Sequence, residues 1–180
     1  NLLSSFKKVF IMGIGGSGMS SIAKYLKQKG HYVEGYDQRI SYITNLLEND
    51  GVKTFQNLDD FRYQKDVLYI ISSAINLDGT FLENFKKNEN VISRPKFLEI
   101  LSEEVNIIGI TGTHGKTSTT ALVSHMFHFN NKNASFIYGG VSGFGNLGGH
   151  CGEETLPLIL ETDEAFNTFK NINIKDLIVT

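Results

Sequence analysis

The chain has 180 residues, 41% hydrophobic and 20% charged, with 18 Gly, 2 Pro and a formal charge of −2. This is a globular composition, long enough for one or two domains with real cores, and its near-neutral balance argues against a dedicated nucleic-acid binder. A lone cysteine, Cys151, excludes an internal disulfide framework and a Cys-rich metal site. No apolar run approaches the roughly 20 residues of a bilayer span, and no leader-like segment opens the chain, so a cytoplasmic protein is expected. The start on Asn1 and the end on Thr180 inside an apolar run read as those of a piece of something longer.

Short apolar runs alternate with amphipathic segments, the order of successive βαβ units. Val9–Ile14 reads as a buried strand ended by glycines. Ser17–Lys29 reads as a helix with Met19, Ile22, Ala23 and Leu26 on one face, closed by Gly30. Strands are expected at Tyr32–Tyr36, Val52–Phe55, Val67–Ser72 and Val91–Ser93, and helices at Tyr42–Glu48, Thr80–Lys87 and Pro95–Leu101. The rhythm then restarts with a strand at Val105–Ile110 and a helix at Thr117–Phe129. Strands at Ala134–Tyr138 and Leu156–Leu160 flank a glycine-rich loop, Gly139–Gly152, and Asp176–Thr180 begins a last strand. The polar patch Ser102–Glu104 marks a boundary, giving one domain over 1–102 and the start of a second over 103–180. Mostly parallel, doubly wound α/β sheets suit this order.

Two turns carry the chemistry. Gly13-Ile14-Gly15-Gly16-Ser17-Gly18 is a G-x-G-x-x-G between a strand and a helix. Its glycines let the backbone approach a diphosphate, and the helix N-terminus offers free N–H groups. Asp37, at the end of the second strand, stands where an acid would meet a ribose hydroxyl. The turn alone leaves the nucleotide open. The second turn is Thr111-Gly112-Thr113-His114-Gly115-Lys116-Thr117, a G-x-x-G-K-T in which Ile110 holds the usual first-glycine position. Its backbone would cradle phosphate, Lys116 would meet the β/γ oxygens, and the Thr117 hydroxyl would ligate Mg²⁺. The fold expected is therefore a Rossmann-like, mostly parallel domain followed by the start of a P-loop α/β domain.

Glu161, Asp163 and Glu164 follow a strand near that loop and are candidate Mg²⁺ ligands. His125 and His128 lack a third ligand and read as packing or surface residues, whereas His114 lies within the phosphate loop. Cys151 and the scattered Phe and Tyr residues read as ordinary packing.

The two nucleotide turns in succession resemble the Mur ligases of peptidoglycan synthesis. The resemblance covers nearly the whole chain: Phe10–Ala23 is similar to the family's opening loop, Ile71–Ile75 to a mid-domain strand end and Arg94–Leu101 to the helix leaving the first domain. Gly109–Thr120 resembles the ATP loop, Tyr138–Gly140 with Gly145-Asn146 the next glycine-rich loop, and Glu161–Phe169 the acidic segment. Ala165 and Phe166 depart from the Ser-Asp of that segment, and an Ala-Arg-Leu is missing after Asn146. The first loop and the Ser-Ser-Ala-Ile run separate the chain from ligases that recycle murein peptide. Folylpolyglutamate synthases would not carry the first domain.

The resemblance implies an ATP- and Mg²⁺-dependent amide ligase that joins L-alanine to UDP-N-acetylmuramate through an acyl phosphate. It implies an ATP site at Gly112, Thr113, His114, Gly115, Lys116, Thr117 and Ser118. Lys116, Thr117 and Glu161 would serve catalysis, with Thr117 and Glu161 on the metal. The UDP-sugar would lie on Gly13, Gly15, Gly16, Ser17 and Gly18, with Asp37, Ser73 and Arg94. Domain closure is expected, as are further family domains beyond this stretch. The alternatives are a related murein-peptide ligase, a non-catalytic nucleotide-binding module, or an NAD-dependent oxidoreductase resting on the first turn alone.

Overall fold

A computed structural model describes residues 2–59, 61–75, 85–141, 146–162 and 171–180. The first sheet contains β1 (Lys8–Met12), β2 (Tyr32–Tyr36), β3 (Lys53–Phe55), β4 (Val67–Ile71) and β5 (Val91–Ser93). They run parallel in the order β3-β2-β1-β4-β5. Strand order reverses at β1 and β4, and the crevice at their carboxyl ends is where such sheets bind ligands. β1 stops at Met12 because Gly13 turns away with φ +81° and donates its N–H to Tyr36 O at 2.7 Å.

The second sheet has the order β10-β6-β9-β7-β8. Its strands are β6 (Ile107–Thr111), β7 (Ser135–Val141), β8 (Leu147–His150), β9 (Leu158–Glu161) and β10 (Asp176–Val179). All pairs are parallel except β7 with β8. Among the described residues four α-helices accompany the sheets: α1 (Ser17–Gln28), α2 (Tyr42–Asn49), α3 (Arg94–Glu104) and α4 (Lys116–Phe129). None of the described helices is long and apolar enough to cross a membrane.

Period-two alternation sorts each strand's side chains onto two faces. Val9 and Ile11 of β1 with Leu68 and Ile70 of β4 meet Ile22, Ala23 and Leu26 of α1. Phe10, Met12, Tyr69 and Ile71 face the other way. There Phe10 packs on Phe61 at 5.4 Å and Tyr69 on Phe85 at 4.9 Å between ring centroids, beside a cavity of about 370 Å³.

Helix α1 is buried on more than the one face expected from its sequence. Met19, Ser20, Ser21, Ile22, Ala23, Tyr25 and Leu26 are all buried. The helix lies between the first sheet and the β7–β8 hairpin of the second, and one hydrophobic cluster runs through it from Val9 and Ile11 to Ile137, Leu147 and Leu160. Each fully buried side chain of this size contributes about 1.5–3 kcal/mol, so the two sheets are fastened together along α1.

Two expectations are corrected. Gly139–Gly152 is not simply a loop: β7 runs on to Val141, and Leu147–His150 forms an antiparallel edge strand. Glycines rarely fill strands, but here they permit close approach. A Cβ at Gly148 would strike Tyr138 O, and one at Gly149 would strike the Ser21 carbonyl of α1. Likewise, the helix expected over Pro95–Leu101 runs on through Ser102–Glu104, with Ser102 Oγ accepting from Asn173 N at 3.0 Å, and the chain passes between the sheets at Val105–Asn106. Most of the expected helix Thr80–Lys87 lies outside the described residues.

Candidate functional site

The N-termini of the four described α-helices divide into two kinds. Ser41 caps α2 by accepting from Thr44 N at 3.2 Å, and Ser93 caps α3 by accepting from Lys96 N at 3.3 Å. The helices that follow the two glycine turns have no side-chain cap: α1 begins after Gly16 and α4 after Gly115. Their first-turn N–H groups are left for an external anion, reinforced by the helix dipole.

The first turn is held by its neighbours. Asp37 Oδ2 accepts from Gly15 N at 2.9 Å and Oδ1 from Arg39 N at 3.1 Å, so this carboxylate shapes the turn itself. A Cβ at Gly15 would sit 2.8 Å from Asp37 Oδ2, and one at Gly13 2.9 Å from Ser72 Cβ. Gly18 makes room for Arg94, whose Cζ lies 3.1 Å from the position a Cβ would occupy. That places a guanidinium, well suited to phosphate, beside the α1 N-terminus. Gly16 and Ser17 are exposed, and Ser73 is exposed in the turn after β4.

The second turn follows β6. Gly109 belongs to the strand, where it faces Ile174. Gly112 supplies the loop's unusual backbone instead, with φ +135° and no room for a Cβ against Thr180 O. Thr180 ties the loop to the end of β10: its N–H donates to Thr111 O at 2.9 Å and its Oγ1 to His114 O at 2.5 Å. Lys116 Nζ donates to Gly112 O at 2.5 Å, folded back over the cradle. Thr113, His114 and Ser118 are exposed at its mouth.

Glu161, at the end of β9, joins these parts. Its Oε1 accepts from Thr117 Oγ1 at 2.8 Å and its Oε2 from Gly139 N at 2.6 Å. Two hard oxygen donors thus meet next to the phosphate loop. Among the described residues no cluster of three or more His, Cys, Asp or Glu could hold a metal. The Thr117 hydroxyl and the Glu161 carboxylate are hard oxygens of the kind that Mg²⁺ takes from a protein when phosphate and water complete its shell. Gly139 also closes the distance between the turns: a Cβ there would lie 3.3 Å from Ser17 Oγ of α1 and 3.6 Å from Glu161 Oε2. Asp163 and Glu164, with Ala165 and Phe166, lie outside the described residues, as does Gly145.

His125 and His128 lie exposed on α4, while His150 and Cys151 are partly buried. His150 hydrogen-bonds Asn133 Oδ1 at 2.7 Å and packs on Phe136. Burial, then Lys24 and His128, push its pKa down. Burial raises the Cys151 thiol, which leaves it a poor nucleophile. Sequence reading assigned no role to Ser21, Tyr138 or Thr180. The hint available was the three serines, with no charged residue, in the first turns of α1.

The model of the Mur ligase family, catalytic domain, matches residues 8–106, more than half of the chain. The chain belongs to the Mur ligase family. The UDP-N-acetylmuramate–L-alanine ligase of Cytophaga hutchinsonii is 32% identical over 181 residues, covering 95% of this chain and 39% of that one. The crystal structure of UDP-N-acetylmuramate–alanine ligase MurC from Thermotoga maritima superposes with a TM-score of 0.81 at 26% identity, over 96% of this chain and 40% of its own. The MPL ligase of Neisseria meningitides shares the fold, with a TM-score of 0.79 at 20% identity, over 97% of this chain and 60% of that one. This Mur ligase chain therefore spans about two fifths of the length of the first two relatives.

Proposed function

We propose that this chain carries both nucleotide cradles of an ATP-dependent ligase that joins L-alanine to UDP-N-acetylmuramate in the cytoplasm, for peptidoglycan synthesis. One observation carries the reading: Gly139 stands between Ser17 of the first turn and Glu161, the carboxylate bonded to Thr117 of the second. A sugar nucleotide held on one turn would then present its carboxylate to a triphosphate held on the other.

In this reading the first module, on β1–β5, binds the UDP-sugar. The turn Gly15, Gly16, Ser17 and Gly18 holds the diphosphate through the N–H groups of Ser17 and Gly18, those of Gly15 and Gly16 being taken by Asp37 and by Gly13 O, with Arg94 adding charge, Asp37 fixing the turn and Gly13 and Ser73 framing the crevice. The second module, from the end of α3 onward, binds ATP through Gly112, Thr113, His114, Gly115, Lys116, Thr117 and Ser118. Mg²⁺, when bound, neutralises charge on the β- and γ-phosphates, and Thr117 and Glu161 would hold it. A carboxylate is a poor electrophile until phosphorylated, so the γ-phosphoryl group passes to it. The amine of L-alanine then displaces phosphate from the acyl phosphate. The residues named here position the partners and balance charge, and phosphoryl transfer asks for little else. Further parts of the relatives' length complete the amino-acid site in this reading.

The relatives' names favour L-alanine addition over murein-peptide ligation, since the neighbour with the peptide-ligase name shares only the fold at 20% identity. Isothermal titration tests the first cradle: UDP binds and NAD does not. Tight NAD binding there would overturn the substrate assignment.

A further inference from the structure

One peptide group lies between the two cradles. It is the Tyr138–Gly139 amide of β7, at the point where the pairing with β8 shifts register. Its carbonyl oxygen accepts from Ser21 Oγ of α1 at 2.7 Å, and its N–H donates to Glu161 Oε2 at 2.6 Å. Glu161 Oε1 in turn accepts from Thr117 Oγ1 at 2.8 Å. A trans peptide is planar, with C=O and N–H pointing in opposite directions, so neither end turns without the other. Four groups thereby form one hydrogen-bonded chain from the helix of the first cradle to the hydroxyl of the second.

Ser21 is fully buried, and its single hydroxyl proton has two acceptors within reach: Tyr138 O, and Ser17 O at 2.9 Å. Ser17 opens α1 and belongs to the first cradle. The hydroxyl can serve the carbonyl of that first turn or the amide that aims Glu161. Ser17 O keeps the Ser20 hydroxyl at 3.0 Å whichever way the Ser21 proton turns, so the cost of losing that proton falls on the buried Tyr138 carbonyl.

We infer that Ser21 is a positioning residue that couples the two cradles: closure of the α1 first turn on a diphosphate resets the Ser21 hydrogen bond, and the Tyr138–Gly139 amide carries that change to Glu161 and Thr117. This rests on the reading of the two turns as nucleotide cradles. Neither ligand touches Ser21; its effect passes through the amide.

Calorimetry on the full-length protein tests this. The Kd of a non-hydrolysable ATP analogue with Mg²⁺ is measured with and without saturating UDP. Wild type is expected to bind the analogue about fivefold more tightly with UDP present, and linkage requires the same factor for UDP when the analogue is present. In Ser21→Ala each ligand alone should bind within about threefold of wild type, while the coupling factor falls to about one. Ser20→Ala removes a neighbouring buried hydroxyl whose bond among the described residues is to Ser17 O, and it should keep the wild-type factor. Ser21→Cys, close in shape but a weak donor, is measured alongside in case the alanine variant does not fold, and should lower the factor. Retention of the wild-type factor in the Ser21 variants, or a factor of one in a wild type that binds both ligands, overturns the inference. A wild type that binds neither ligand overturns the cradle reading itself.

Discussion

Replacing Lys116 with Ala in the full-length protein is expected to lower kcat for ligation by about 10³-fold and to leave the melting temperature within about 2 °C of wild type. Lys116 is the only Lys or Arg between Lys96 and Lys132, so the loop has no sequence neighbour to replace its charge. Phosphoryl transfer depends on neutralising charge spread over the γ-phosphate oxygens, and deleting one such preorganised group costs about 10²–10³ in rate. The fold asks little of this side chain. It is half-buried, and its bond among the described residues is to the backbone carbonyl of Gly112, within its own loop. Steady-state kinetics with a thermal melt separates the two effects, and near wild-type turnover would refute the assignment.

Gly149→Ala is expected to cost about 3 kcal/mol, seen as a fall of about 6–12 °C in the melting temperature. The Cβ would be driven into the Ser21 carbonyl, a backbone group that no rotamer change can move. Relief requires lifting β8 away from α1 and opening the cluster that joins Ile22 and Leu26 to Leu147. Gly30→Ala is the control. Gly30 has φ +103° but nothing within 4 Å of the new methyl, so only backbone strain of about 1 kcal/mol is expected. Equal losses in the two variants would mean that the α1–β8 contact is not a tight one.

The same contact explains what sequence reading could and could not reach. Strands such as β2 and β5 were legible to the residue, because short apolar or β-branched runs between turn residues have few other uses. β6 was legible only approximately: it is shifted toward the loop, since Val105 and Asn106 are spent on turning away from α3. β8 was illegible. Leu-Gly-Gly-His has a loop's composition, and what makes it a strand is a helix more than 120 residues earlier in the chain. The phosphate loop was visible from Gly115, Lys116 and Thr117 alone. The pairing of Thr117 with Glu161 followed from the position of an acid at a strand end. Ser21 and the Tyr138–Gly139 amide could not be found that way, because their roles come from tertiary approach and not from residue type. Helix α1 packs against both sheets through a shared core and bonds to β7, which sets the two glycine turns on one assembly.

The most direct test of that arrangement is a crystal of the protein soaked with UDP, Mg²⁺ and a non-hydrolysable ATP analogue. The account predicts density for the UDP diphosphate against the Gly15–Gly18 turn, on the N–H groups of Ser17 and Gly18, and for the triphosphate on Gly112–Thr117, with Glu161 between them. Both turns empty, or both nucleotides gathered on a single turn, would contradict it.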